Sequence, residues 1–115
     1  MSKELQRLMD EVSEWQHKTF ESVECVNIAE HLRLEAIELK EAIEIHNEKG
    51  TLETFWNMEE ELADCLILLI SCSKKAGFSA HDLILAGTKK LMINKKRTWG
   101  KQNEDGTYTH IENGK

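Results

Sequence analysis

Four carboxylates in the sequence have a spacing that suits metal chemistry. Glu35 and Glu38 lie three residues apart, as do Glu61 and Asp64. Residues three apart on a helix project from the same side. Both pairs adjoin apolar residues, where an ionised carboxylate needs a partner. Either pair alone would indicate a solvated helix face, but two pairs beside apolar stripes favour an oxygen-rich site for a hard cation such as Mg²⁺ or Mn²⁺.

A second group combines two cations with an amide. Lys90, Asn94 and Arg97 are spaced four and three residues apart, so they share one face of a helix. A lysine and an arginine with an amide between them can hold the oxygens of a polyphosphate. Cations near the end of a helix also offset its dipole. That simpler explanation accounts for Lys95 and Lys96 but not for the alignment of the other three.

Helices are expected to position both groups. The chain of 115 residues has no proline and six glycines, which favours long uninterrupted helices. The apolar periodicity predicts a first helix over residues 3–20, a second over residues 23–46, a third from Thr51 to Ala76 and a fourth that fades near Thr98. With short connections, this pattern predicts an all-α fold, an antiparallel four-helix bundle with a short extended C-terminal tail.

Capping residues mark most of these boundaries. Gly50 and Gly77 are placed to end the second and third helices, because glycine adopts the left-handed conformation at little cost. Thr51 can cap the third helix, while Ser79 and Asp82 form a capping box for the fourth.

Two local patterns lead to further predictions. Asn27, with Glu30 three residues later, offers an alternative start for the second helix, which would leave residues 21–26 as a connector. The run from Cys65 to Ile70 is wholly apolar, and a helix without a polar face is expected to be buried.

The composition limits the class of protein. The length fits a single domain over residues 1–115, with 40% hydrophobic and 31% charged residues. A net charge of −6 argues against nucleic-acid binding, and the longest apolar run of six residues is too short to cross a membrane. The three cysteines fit neither a disulfide framework nor a zinc spacing, and the N-terminus does not read as a secretory signal, so a cytoplasmic location is expected.

Clustered carboxylates between bundle helices have two common uses. A di-iron or di-manganese site needs a Glu-x-x-His motif on each of two helices, and the sequence offers only Glu14-x-x-His17, so redox iron is poorly supported. The other use is a Mg²⁺ cluster that grips phosphates and activates water.

Both groups of residues resemble the motifs of one known family. Glu35-x-x-Glu38 followed by Glu61-x-x-Asp64 resembles the motif of the all-α nucleoside triphosphate pyrophosphohydrolases, the MazG-like superfamily. The lysine–asparagine–arginine pattern is similar to that family's phosphate-binding helix. Further segments resemble the bacterial and phage dATP/dGTP diphosphohydrolase branch, the MazZ-like enzymes; these segments are Trp15-Gln16, His31-Leu32, Arg97-Thr98-Trp99-Gly100-Lys101, Asp105-Gly106 and His110-Ile111.

The resemblance implies a reaction and a set of residues for it. Deoxynucleoside triphosphates, with dGTP and dATP preferred, would be hydrolysed to the monophosphate and pyrophosphate. The four acids would ligate two or more Mg²⁺ or Mn²⁺ ions, a metal-activated water would attack the α-phosphorus, and one of the glutamates would relay its proton. The implied substrate-binding residues are Trp15, His31, Lys90, Asn94, Arg97 and Trp99. Trp15, Trp56 and Trp99 are the candidates for stacking on the base.

The resemblance also implies a setting for the protein. Members with short bundles typically form homodimers or homotetramers, and the apolar helix around residues 66–70 could serve that interface. The expected location is the cytoplasm of a bacterium or of a phage-infected host cell, with neither a nucleic-acid nor a membrane partner. Two alternatives stay open: a pyrophosphohydrolase that prefers dCTP or dUTP, and a non-enzymatic helical interaction module whose acids form a solvated surface.

Overall fold

Four helices and a two-stranded hairpin make up residues 2–111, the part of the chain that the computed structural model describes. The elements are α1 (Ser2–Thr19), α2 (Cys25–Lys49), α3 (Leu52–Lys75), α4 (Ala80–Lys96), β1 (Thr98–Trp99) and β2 (His110–Ile111). The predicted all-α class with a short extended C-terminal segment is therefore confirmed. The chain forms two compact units, of which the first ends at Leu83 and the second begins at Ile84. The single domain over residues 1–115 stays a prediction.

The connection between α2 and α3 consists of two residues with the predicted roles. Gly50 adopts the left-handed conformation with φ 59°, and its N–H donates to the carbonyl oxygen of His46 at 2.7 Å. The Oγ1 of Thr51 accepts the backbone N–H of Thr54 at 3.1 Å, which caps the start of α3. So short a connection makes the two helices antiparallel neighbours.

The predicted capping box at the start of α4 is present. The N–H of Ser79 donates to Oδ2 of Asp82 at 2.9 Å, and the N–H of Asp82 donates to Oγ of Ser79 at 3.1 Å. A further contact from α1 supports this helix start, because Oε1 of Gln6 accepts the N–H of Ala80 at 2.8 Å.

The alternative start of α2 with Asn27 as its N-cap residue was wrong, and the first prediction, a helix from residue 23, was two residues early. The helix begins at Cys25 after the N-cap residue Glu24, whose N–H donates to Oδ1 of Asn27 at 3.0 Å. Asn27 therefore lies in the first turn, where its side chain reaches back to the cap instead of being the cap. The bond between Glu24 and Asn27 joins residues that are close in sequence, but it was not predicted because glutamate is not a preferred N-cap residue.

Contacts at both ends of the α2–α3 pair confirm that the two helices run in opposite directions. At one end, Sγ of Cys25 lies 3.9 Å from the carbonyl oxygen of Cys72, and Sγ of Cys72 lies 3.9 Å from that of Cys25. At the other end, Nδ1 of His46 lies 2.8 Å from Oγ1 of the buried Thr54.

Helix α1 packs against α3 and closes the core of the first unit. The core consists of Met9, Val12, Ile70 and Ala80, all of them buried. An ion pair at the surface joins the same two helices, because Nζ of Lys74 lies 2.7 Å from Oδ1 of Asp10. The side of α1 that carries Met9 and Val12 therefore faces the core.

The expectation that the apolar run of α3 is buried on all sides was wrong. Leu68 and Ile70 are buried, but Leu66 is 42% exposed and Leu69 is 46% exposed. Antiparallel packing on α1 and α2 covers only part of the helix surface, so an apolar face remains. Over residues 2–111, no helix is both long enough and apolar enough to cross a membrane.

The second unit contains most of α4 and the terminal hairpin. β1 and β2 pair antiparallel, with Thr98 opposite Ile111 and Trp99 opposite His110. β2 lies in the C-terminal tail that the sequence predicted to be extended, while its partner strand β1 was not predicted. A turn lies between the two strands, where Oδ1 of Asp105 accepts the N–H of Thr107 at 3.0 Å.

Candidate functional site

Three of the four predicted acids meet between α2 and α3. Each of Glu35, Glu38 and Glu61 offers a carboxylate oxygen, and these atoms lie within 4.8 Å of one another. The first two are one turn apart on α2, while the third comes from the antiparallel α3. The prediction that acid pairs from two helices converge is thus supported by the geometry for these three residues.

The fourth acid is close enough to act on the cluster through its charge. Asp64 lies one turn beyond Glu61 on α3 and is exposed, and its charge contributes to raising the pKa of Glu35. Asp64 and Glu35 also line the same cavity. Of the four acids, Asp64 and Glu38 are exposed, whereas Glu35 and Glu61 are half-buried.

The electrostatics of the cluster disfavour full ionisation. The pKa of Glu35 is raised above its usual value, chiefly by a hydrogen bond shared with Glu38, then by burial and by the charge of Glu38. Oε2 of Glu61 is buried, and within residues 2–111 it has no hydrogen-bond partner. Buried carboxylate oxygens are normally paired with a donor or bound to a metal.

One imidazole approaches this group of acids. Nε2 of His31 lies 3.2 Å from Oε1 of Glu35, one turn along α2. Within residues 2–111, this is the only ion pair that involves any of the four acids. One exposed imidazole does not balance four carboxylates.

The donor set fits a divalent cation. Carboxylate oxygens are the ligands that Mg²⁺ and Mn²⁺ prefer, and the unpaired buried oxygen of Glu61 is the kind of atom that a cation would satisfy. The cluster contains no thiolate, and its single imidazole already contacts a carboxylate. The residues therefore suit a hard cation better than redox iron.

A cavity of about 790 Å³ opens beside the acids. Its wall includes Glu35 and Asp64 at the acidic cluster, His31 from the next turn of α2, and Trp15 with Phe20 from the end of α1 and the connection that follows. The rings of Trp15 and Phe20 meet edge to face, with centroids 5.4 Å apart and an angle of 87°. The structure thus brings the predicted residues Trp15 and His31 into one cavity with two of the acids.

The cavity wall also contains residues to which sequence reasoning gave no role. Gln16 and Ser71 both line it, and Oγ of Ser71 donates a hydrogen bond to Oε1 of Gln16. Lys75 adds a cation to the same wall. Phe20 follows directly after α1, and no motif in the sequence singled it out. The Trp15-Gln16 pair was noted for its resemblance, but nothing in the sequence indicated the contact between Gln16 and Ser71.

The other predicted substrate-binding residues belong to the second unit; they are Lys90, Asn94, Arg97 and Trp99. Nη1 of Arg97 donates to Oδ1 of Asn94 at 3.2 Å, so the amide and the guanidinium predicted to share a face are in contact. Nε1 of Trp99 donates to the carbonyl oxygen of Asn94 at 2.9 Å, and its ring meets that of His110 edge to face at 6.0 Å. Lys90 is exposed on α4.

Comparisons with known proteins agree with this geometry. The sequence model described as dATP/dGTP pyrophosphohydrolase matches residues 8–114. Among solved structures, the chain is similar to the cyanophage S-2L MazG-like pyrophosphohydrolase bound to dGDP and three catalytic Mn²⁺ ions per active site. The identity is 24%, the similarity covers 94% of this chain and 97% of that chain, and the TM-score is 0.68. At that identity the structural match supports the fold. No curated protein matches the sequence.

Proposed function

The chain belongs to the dATP/dGTP pyrophosphohydrolase family, and from this premise we propose that it hydrolyses dGTP and dATP to the monophosphate and pyrophosphate. Membership confirms the resemblance that the motifs indicated and identifies the chain as a nucleoside triphosphate pyrophosphohydrolase. The preference for dGTP and dATP and the attack of water at the α-phosphorus are proposed here. One observation supports it above the others: Glu35 belongs both to the acid cluster and to the wall of the cavity.

The place of Glu35 in both the acid cluster and the cavity wall indicates how the substrate is oriented. Phosphates belong at the acids, where cations would offset their charge, so the base extends toward the aromatic pair of Trp15 and Phe20. A volume of about 790 Å³ lies within the range of small-molecule sites. Stacking on an aromatic ring is a common way to hold a base, since every base has a π-face.

The four acids are the proposed metal ligands. In the related cyanophage enzyme, three Mn²⁺ ions occupy each active site. We propose that Glu35, Glu38, Glu61 and Asp64 hold two or more Mg²⁺ or Mn²⁺ ions, which, when bound, would neutralise phosphate charge and lower the pKa of water. The unpaired Oε2 of Glu61 supports this assignment.

The remaining chemistry falls to side chains of the protein. A glutamate of the cluster accepts the proton of the attacking water, and Glu35 is the candidate because, of the three clustered glutamates, it is the one that lines the cavity. His31 holds Oε1 of that glutamate in place from 3.2 Å. Lys90, Asn94 and Arg97 are proposed to bind phosphate oxygens, and the 3.2 Å bond from Arg97 to Asn94 keeps two of these groups together.

The proposal is tested by measuring rates of pyrophosphate release in the presence of Mn²⁺. The substrates are the four common deoxynucleoside triphosphates and dUTP. We expect the highest kcat/KM for dGTP and dATP. Hydrolysis in ¹⁸O-labelled water should place the label in the monophosphate, because water attacks the α-phosphorus. Glu44 is an exposed acid on α2 outside the cluster, so the variant Glu44→Gln should retain activity.

Each possible failure has a distinct meaning. Label in the pyrophosphate would refute attack at the α-phosphorus. A higher kcat/KM for dCTP or dUTP would refute the purine preference and leave the reaction class intact. Absence of turnover for every substrate would favour the non-enzymatic interaction module.

A further inference from the structure

A hydrogen-bonded pair from two helices lies in the wall of the cavity. Gln16 is near the end of α1, and Ser71 is on α3, where it is 3% exposed. Oγ of Ser71 donates to Oε1 of Gln16, and both residues line the cavity together with Trp15 and Phe20. The pair therefore lies in the wall of the cavity in which the base is proposed to bind.

This contact determines what Gln16 presents to a ligand. A carboxamide has one acceptor oxygen and one donor NH₂ group. Since Oε1 is held by Ser71, the Nε2 group keeps its two N–H donors, and within residues 2–111 neither has a hydrogen-bond partner. Gln16 thus contributes a donor group to a cavity wall that also contains Trp15 and Phe20.

We propose that Gln16 selects purines by donating a hydrogen bond from Nε2 to N7 of the base, and that Ser71 is the positioning residue that orients this amide. The inference rests on the proposed function and deepens it, because it names the atom by which purines are recognised. It also supplies a purine-specific contact, which stacking on Trp15 alone does not provide.

N7 is the base atom that fits a single donor in an enzyme for both purines. Guanine and adenine share the N7 acceptor, whereas at position 6 guanine has an acceptor and adenine a donor. A donor aimed at position 6 would therefore separate the two purines. The N3 acceptor is also common to both, but pyrimidines offer O2 at the equivalent place, so a contact to N3 would not exclude them.

The test compares dGTP with 7-deaza-dGTP, which has a carbon in place of N7, and dATP with 7-deaza-dATP. For the unmodified protein we expect kcat/KM to fall by about fivefold or more on loss of N7, the size of one hydrogen bond. In Gln16→Met, which keeps the length of the side chain, the two substrates of each pair should react at equal rates. Ser71→Ala should reduce the ratio between them, because the amide loses its orientation.

The control variant is Ser73→Ala. Ser73 lies two positions along the same helix, and its Oγ donates to the carbonyl oxygen of Leu69 at 2.9 Å, away from the cavity wall. It should keep the full ratio between dGTP and its 7-deaza analogue. A structural effect of Ser71→Ala would lower the rates on both substrates together, whereas a positioning effect changes their ratio.

Two results would overturn the inference. One is equal kcat/KM of the unmodified protein for dGTP and 7-deaza-dGTP, and the other is a ratio that survives in Gln16→Met. A comparable loss with 3-deaza-dGTP alone would assign the contact to N3 instead. If the protein turned over no nucleotide, the proposed function would fail, and equilibrium binding of dGMP and 7-deaza-dGMP would still decide the role of Gln16. Melting temperatures of all variants show whether each is folded.

Discussion

Glu35 on α2 and Glu61 on α3 bring carboxylate oxygens within 4.8 Å of each other. The oxygens come from different helices, so their repulsion opposes the packing of α2 on α3. Oε2 of Glu61 is also buried and has no hydrogen-bond partner within residues 2–111. Stability, metal affinity and catalysis are therefore coupled at this one contact.

Neutralising Glu35 should stabilise the protein in the absence of metal. The pKa of Glu35 is raised in the folded state, so folding is penalised at any pH above that raised value. The penalty disappears as the pH falls to the usual pKa of a glutamate, because the carboxyl group is then protonated in both states. We expect Glu35→Gln to have a higher melting temperature than the unmodified protein at pH 7 in a chelator, with the difference shrinking toward pH 4. Glu44→Gln should show no such gain.

Divalent cations should offset the repulsion among the acids and stabilise the unmodified protein. A ligand that binds only the folded state stabilises it by about 2.7 kcal/mol at a hundredfold excess over its dissociation constant. For a domain of this size that corresponds to a rise of about 10 °C in melting temperature. The rise should occur with Mn²⁺ in the unmodified protein and be much smaller in Glu61→Gln. An equal rise in both proteins would place the cation elsewhere.

Activity should depend on the two exposed acids as well as on the half-buried ones. We expect Glu38→Gln and Asp64→Asn to abolish pyrophosphate release, because each removes a proposed metal ligand. Both variants should stay folded, since each substitution relieves repulsion among the acids. Circular dichroism shows whether the variants are folded, and assays at saturating Mg²⁺ show whether they release pyrophosphate. Near-normal turnover by either variant would remove that residue from the metal site.

Trp15 and Trp56 form a matched pair for the role of base stacking. Trp15 is 55% exposed and lines the cavity, whereas Trp56 is 56% exposed and does not. Stacking of a base on an aromatic ring is worth about 1–3 kcal/mol. Trp15→Ala should therefore raise KM for dGTP by about tenfold, while Trp56→Ala should leave KM unchanged. The opposite pattern would assign the stacking role to Trp56.

Arg97→Ala should weaken substrate binding more than folding. The guanidinium lies just beyond α4 and bonds to Oδ1 of Asn94, a pairing that holds it near the amide. One charge-assisted contact to a phosphate is worth about 1.5–3 kcal/mol, so affinity for dGTP should fall at least about tenfold. Lys95→Ala is the control, because the helix dipole already accounts for that cation. Unchanged kcat and KM in Arg97→Ala would mean that Arg97, like Lys95, only offsets the helix dipole.

Features that depend on neighbours in the sequence were the predictable part of this fold. Thr51 caps α3 through a residue three positions away, and Ser79 and Asp82 do the same for α4. The placement of each acid pair on one side of its own helix was also predictable, because the members of each pair are three residues apart. Glu24 was missed because glutamate is a poor N-cap residue in general, and its bond to Asn27 compensates only in this context.

Features that depend on how the helices meet were not predictable in the same way. Gln16 and Ser71 are 55 residues apart, and no local pattern indicates that a hydroxyl on α3 reaches an amide on α1. The exposure of Leu66 and Leu69 on α3 also depends on how the helices pack, so it could not be predicted from local sequence. Apolar composition shows that a helix can be buried, while only the packed arrangement shows how much of its surface the neighbouring helices cover.

The two-residue connection at Gly50 and Thr51 has a consequence for the order of events in folding. Closing so short a loop costs little chain entropy, and contacts between residues near in sequence form faster than distant ones. We expect the α2–α3 hairpin, and with it the meeting of Glu35, Glu38 and Glu61, to form before α1 docks on α3. The repulsion among the acids then acts early, and a divalent cation that offsets it would serve a nascent chain as a folding aid before it serves the finished enzyme in catalysis.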